Sequence, residues 1–304
     1  MNRFFSIRLW LSAALMSLLL AGPASAAQLR TEHFTFHTTD RRLPVAQRLA
    51  DEAEDVLEDI ALQLGVSHLE QKPIMVRVLE NEAALSRAMP HSSMTEWAAG
   101  IAFPKSSLIL LKADHKTMFE LHDVFRHEIS HIVLSRAVNQ ARLPHWLIEG
   151  LAVLQAGEHV RDRWQKSGQA MLTDSLPALS TITNGFPADA SRVDMAYAQS
   201  TAFVSWLVAN NGWPNVRRLL RIVREGDTFT VAFERVYRKP VVRMEAQWRR
   251  DLESGATWTA LLRDSSLMWV LAGLLFVFAW ITVRARNAER LVLMDEPGLD
   301  DEFA

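Results

Sequence analysis

Cysteine is absent from the chain. That absence excludes a small fold stapled by disulfides, thiolate metal sites and a cysteine nucleophile. Any metal site has to be built from His, Asp and Glu. Charge of one sign is lacking too: 33 basic residues stand against 35 acidic ones, for a formal net charge of −2. No basic surplus points to nucleic acid, and no acidic tract is long enough to act as a solvating tail. Only two tyrosines occur in 304 residues, and no internal repeat or low-complexity segment appears. The length is enough to bury a sizeable core.

Long apolar runs are confined to the two ends. Arg3 and Arg8 precede an apolar stretch from Leu9 to Leu20, which is short for a bilayer, and Ala24-Ser25-Ala26 follows in a small-x-small pattern. This reads as a secretory signal over residues 1–26, cleaved after Ala26, the other reading being an uncleaved anchor. Residues 267–283 carry no charge over 17 positions, or 19 with Ser265 and Ser266, close to the roughly 20 needed to span a hydrocarbon core. Arg284, Arg286 and Arg290 follow at once, and Trp269 and Trp280 sit near opposite ends. The expectation is a transmembrane helix at 265–283, a cytoplasmic tail at 284–304 and a folded, extracytoplasmic domain at 27–264. A buried helix of the globular domain is the alternative for the second run.

Within 27–264, polar–apolar alternation marks a strand at 33–37, 74–79 reads as a strand behind Pro73, and 98–103 and 108–112 read as two more, separated by a Pro-Lys-Ser-Ser turn. Ala46, Leu49, Ala50, Ala53, Leu57, Ile60, Ala61 and Leu64 form one stripe of a helix at 45–64, ended by Gly65. Helices follow at 117–138 and 146–156, then a loop-like stretch to about 193. The remainder to 252 reads as helical, with breaks near Gly212-Trp213-Pro214, Gly226 and Pro240. The predicted fold is therefore α+β, a small sheet with one helix followed by an all-helical half.

His127-Glu128-Ile129-Ser130-His131 lies on the predicted helix 117–138. Positions four apart share a helix face, so both imidazoles can hold one metal ion. Glu128 is turned about 100° around the axis, placing it to reach a metal-bound water rather than the metal. Such a five-residue pattern arises by chance in on the order of one per cent of chains this long, so its surroundings matter. The next helix, Pro144-His145-Trp146-Leu147-Ile148-Glu149-Gly150-Leu151-Ala152, is apolar with a lone carboxylate, costly to bury unless paired or metal-bound. Glu149 follows His131 by 18 positions, an interval that a helix-turn-helix can fold back onto the same site. Gly150 is expected to let those two helices approach closely.

Residues 127–152 resemble the gluzincin metallopeptidases, and more narrowly the peptidase MA-like domain family, with its His-Glu-x-x-His and its Leu-Pro-x-Trp-Leu-x-Glu-Gly-Leu-Ala helix. The likeness continues more weakly through Tyr197-Ala198-Gln199-Ser200, Phe203 to Leu207 and Gln247-Trp248-Arg249. The resemblance implies a thermolysin-like fold and a zinc metallopeptidase acting on peptide or protein substrates. It makes His127, His131 and Glu149 the Zn2+ ligands and Glu128 the general base. It also offers Tyr197 as the donor to the oxyanion, against the alternative of a core tyrosine with a satisfied hydroxyl.

His145 reads either as a contact near the site or as a surface residue at a helix start. Asp123 reads either as a residue that orients His127 or as a solvated carboxylate. Strand 97–103 is a candidate edge for an extended peptide. His33 and His37 share a strand face, where exposure and metal binding are the two readings. Gluzincin aminopeptidases carry Gly-x-Met-Glu-Asn on the edge strand, whereas Ala99-Gly100-Ile101-Ala102-Phe103 here has no acid, which favours an endopeptidase. The loop 160–194 is a candidate cover for the cleft. A non-catalytic, membrane-anchored binding or assembly module that keeps the fold is the principal alternative, and a zinc enzyme acting on a non-peptide bond is a further one.

Overall fold

The computed structural model of the chain describes residues 26–66, 72–89, 99–114, 118–156, 176–186 and 190–263. The chain divides into two compact units, one running to Glu245 and the other beginning at Ala246. In the first unit, strands β1 (Ala26–Arg30) and β2 (Phe34–Thr39) precede helix α1 (Leu43–Leu64) and strand β3 (Ile74–Leu79). Helix α2 (Glu82–Ala88), strands β4 (Gly100–Phe103) and β5 (Leu108–Lys112), and helices α3 (Met118–Ala137) and α4 (His145–Gln155) follow. Helices α5 (Ala190–Arg224) and α6 (Phe229–Tyr237) complete the order up to α7 (Val241–Arg263), within which the units divide. The described part of the second unit is the continuation of α7 to Arg263.

The sheet has the order β1-β2-β3-β5-β4. β2, β3 and β5 run parallel, which requires crossovers such as α1 between β2 and β3. β1 and β4 pair antiparallel at the two edges. The fold is thus the expected mixture of a small N-terminal sheet and a helical remainder, but among the described residues it has five strands rather than four and two helices before the motif helix rather than one. Strand β1 begins on Ala26, the residue read as the end of the leader.

The apolar stripe of α1 is buried as its spacing predicts, with Val56 added, and Gly65 ends the helix at φ 73°. Its opposite number is α3, whose Phe125, Ile129, Ile132 and Val133 are buried. Phe125 closes a ring cluster with Phe34 and Phe36 of β2, at centroid separations of 5.9 and 6.0 Å. Each of these buried rings contributes on the order of 1.5–3 kcal/mol, and together they fix the motif helix against the sheet. The expected helix breaks are present: Gly212 kinks α5 at φ 75° and ψ 160°, Gly226 follows α5, and Pro240 precedes α7. Among the described residues, no helix is long and apolar enough to cross a membrane. Residues 265–283, the tail at 284–304 and residues 1–25 lie outside the described residues.

Candidate metal centre

Three buried or half-buried side chains from two helices converge. On α3, His127 and His131 bring their Nε2 atoms to 3.1 Å from each other. Oε2 of Glu149, on α4, lies 3.5 Å from His127 Nε2 and 3.7 Å from His131 Nε2. The circle through three atoms so spaced has a radius of about 2.0 Å, the length of a Zn–N or Zn–carboxylate bond. Glu149 Oε2 is buried and has no hydrogen-bond partner among the described residues. A buried anionic oxygen left in that condition is costly, and a cation between it and the two imidazoles removes the cost. The residues therefore fit a zinc ion on geometry and donor chemistry alike, each offering one ligand atom within 4.8 Å of the others.

The crossing of α3 and α4 is held by polar contacts that no local pattern announces. Gln155, the last residue of α4, accepts from Ser130 Oγ at 2.6 Å and donates to Gln63 Oε1 of α1 at 3.1 Å. Its carbonyl accepts from Arg126 Nε at 3.2 Å. One buried amide thereby ties three helices beside the motif, with Ser130 inside the motif itself.

Gly150 does permit a close approach, but between α4 and α5 rather than α4 and α3. A Cβ there would lie 2.5 Å from Val204 Cγ2 and 2.7 Å from the Ser200 carbonyl oxygen. This contact brings Tyr197, one turn before Ser200, to the site. Its hydroxyl donates to Glu149. Its ring stands edge-on to Phe186 at 4.8 Å, and Phe186 stands edge-on to His145 at 4.5 Å. His145 is no free surface residue: its Nε2 is 3.6 Å from Glu149 Oε1, and its backbone N–H donates to Thr183 O at 2.8 Å.

Glu128 faces the sheet edge. A Cβ on Gly100 of β4 would lie 2.9 Å from Glu128 Cγ and Oε1 and 2.7 Å from Val124 Cγ1, so only glycine leaves room for this carboxylate. The Ala102 backbone N–H donates to it. Burial is the dominant influence on Glu128 and, with the nearby Glu149 charge, raises its carboxyl to about 7 against the pull of His127. Burial also dominates at His131, and with the charges of His127 and His145 lowers it to about 4 despite Glu149. At Glu149 burial acts upward, yet the charges of His131, His127 and His145 hold the carboxyl far below its usual range. At neutral pH His131 is thus neutral and Glu149 ionised, the forms that bind a metal. At His127 burial acts downward, but the Glu149 hydrogen bond and the Glu128 charge raise it on balance, so a metal there competes with a proton. Burial and the Glu149 and Glu128 charges push the Tyr197 hydroxyl well above its ordinary value, so it keeps its proton.

Asp123 is buried rather than solvated, at 7% exposure. His33 pairs with Glu54, Nδ1 to Oε2 at 2.7 Å. Most of the loop 160–194, and Trp97, lie outside the described residues.

Two histidines four apart on one helix, a glutamate from the next and a second glutamate beside them form the constellation of a metal-dependent hydrolase. Residues 52–254, two thirds of the chain, match the sequence model of the Peptidase MA superfamily, and the chain belongs to that superfamily. Membership points to a metallopeptidase in a superfamily that is typically zinc-dependent. No individual curated protein matches the chain.

Proposed function

We propose that this protein is a zinc-dependent endopeptidase with a thermolysin-like catalytic fold, held at a membrane by residues 265–283 with its catalytic domain outside the cytoplasm. The observation that carries the reading is the triangle of His127 Nε2, His131 Nε2 and Glu149 Oε2 with the Glu128 carboxylate beside it. His127, His131 and Glu149 are the ligands in this reading, and three protein ligands leave a position open for water. Zinc so held supplies a water with a pKa of about 7 and polarises a substrate carbonyl.

The chain's own residues do the rest. Glu128 accepts a proton from the attacking water and passes it to the leaving amine. Tyr197 holds its proton and donates to the oxyanion, exchanging its hydrogen bond with Glu149 for one with the substrate. Phe186, between Tyr197 and His145, keeps the phenol ring aimed at the site. The acid-free segment Ala99 to Phe103 offers no carboxylate to hold a free amine, which supports cleavage within a chain rather than at its N-terminus.

The membrane placement rests on the apolar runs and flanking arginines of the sequence. Glu128→Gln in the full chain tests the reaction: zinc retained with peptide hydrolysis abolished is expected, and hydrolysis at the wild-type rate removes Glu128 as base.

A further inference from the structure

A cavity of about 460 Å3 opens beside the centre, within the range of pockets that enclose ligands. It shares His131 with the metal triangle and Ala102 with the contact to Glu128, so it continues the site rather than lying apart. Phe103 of β4, Leu134 of α3 and Ile148 of α4 make its walls apolar. A pocket walled in this way favours an apolar occupant by roughly 25 cal/mol per Å2 of surface removed from water.

The sheet supplies the direction. β4 is an edge strand, and the Ala99 carbonyl accepts from Lys112 N of the neighbouring β5 at 2.9 Å. Backbone groups alternate along a strand, so Ile101 and Phe103 also turn toward β5, while Gly100 and Ala102 turn toward the free edge. Those two residues stand next to Glu128. An extended peptide can add to this edge as a sixth strand through the Gly100 backbone and the Ala102 carbonyl, the Ala102 N–H being held by Glu128, and antiparallel pairing is the more stable arrangement per residue. The peptide then runs opposite to β4. Its bond at Glu128 lies opposite Gly100 and Ala102, and the residues preceding that bond lie alongside Phe103, where the cavity opens.

Resting on the peptidase reading, we infer that this cavity is the specificity pocket, taking a bulky apolar side chain (leucine, methionine or phenylalanine) immediately on the N-terminal side of the cleaved bond. The substrate class follows: extended polypeptide segments with a bulky apolar residue immediately before the cleaved bond.

The test uses the full chain in detergent with zinc and a peptide series differing only at that residue: Ala, Leu or Phe. Two readouts are taken, cleavage by the wild type and anisotropy binding of the labelled peptides to Glu128→Gln. The Leu and Phe peptides are expected to exceed Ala by about tenfold or more in kcat/KM and in affinity. Ser135→Phe, on the partly exposed wall contributed by α3, is expected to reduce that ratio by about tenfold. Ile148→Ala is expected to move the optimum from Leu toward Phe, which serves if Ser135→Phe does not fold. Cleavage with no apolar preference at this residue, or a preference untouched by both variants, overturns the pocket and leaves the peptidase standing. Preferential binding sensitive to Ser135→Phe but without wild-type cleavage keeps the pocket and sinks the peptidase. Neither binding preference nor cleavage overturns both.

Discussion

Gly150→Ala sets two known effects against each other, and the structure decides between them. In a helix interior the change from Gly to Ala stabilises by about 1 kcal/mol. Against this, the new methyl would meet Val204 Cγ2 at 2.5 Å, the Ser200 carbonyl oxygen at 2.7 Å and the Ser200 carbonyl carbon at 3.0 Å. The valine can change rotamer, but a carbonyl inside α5 cannot swing aside without breaking its own helix. The helices must separate instead, and overpacking of this kind costs about 1–3 kcal/mol. A net loss of about 0–2 kcal/mol corresponds to a fall in Tm of up to roughly 8 °C. The separation also acts on function, since Glu149 precedes Gly150 and Tyr197 lies one turn from Ser200. Zinc affinity is expected to fall about tenfold, the scale on which support of a ligand acts. Thermal unfolding of the metal-free protein and competition against a zinc chelator measure the two effects. A variant with raised Tm and unchanged zinc affinity refutes the close packing of α4 on α5 as the device that builds the site.

Tyr197→Phe is expected to lower kcat by about 10²–10³ with zinc content and KM little changed, because only the transition state needs the phenol proton; an unaltered kcat makes Tyr197 a core tyrosine. Glu54→Gln probes the sheet far from the centre. Burial pushes this carboxyl up, but the His33 N–H at 2.8 Å, the Thr31 hydroxyl and the His33 ring hold it below its usual value on balance. A lowered carboxyl stabilises above the pKa of the unfolded chain and loses that contribution as pH falls through the folded value. Denaturant midpoints of wild type and variant are therefore expected to differ at pH 7 and converge below about pH 4; a constant gap contradicts the assignment.

Much of this was legible because its signals are local. The α1 stripe follows from a 3.6-residue period, and His127, Glu128 and His131 share one helix turn, so their mutual placement needs no tertiary information. Glu149 was legible through its chemistry, a lone carboxylate in an apolar helix. What escaped depends on partners distant in sequence. β1, as Ala-Ala-Gln-Leu-Arg, has no strand pattern of its own and exists through pairing with β2. α2 is seven residues long and held by the Asn81 side chain accepting from Ala84 N at 3.0 Å. Gln155 reads as an ordinary polar helix end until Ser130 and Gln63 are brought to it. Gly150 announced a close approach without naming α5 as the partner, and Gly100 announced nothing of Glu128.

The most direct test of the central claim is the metal content of the purified full chain, wild type beside Glu149→Ala, with circular dichroism to show both folded. About one zinc per wild-type chain, largely lost in the variant, is the result the account predicts. Folded wild type that takes up no zinc contradicts it.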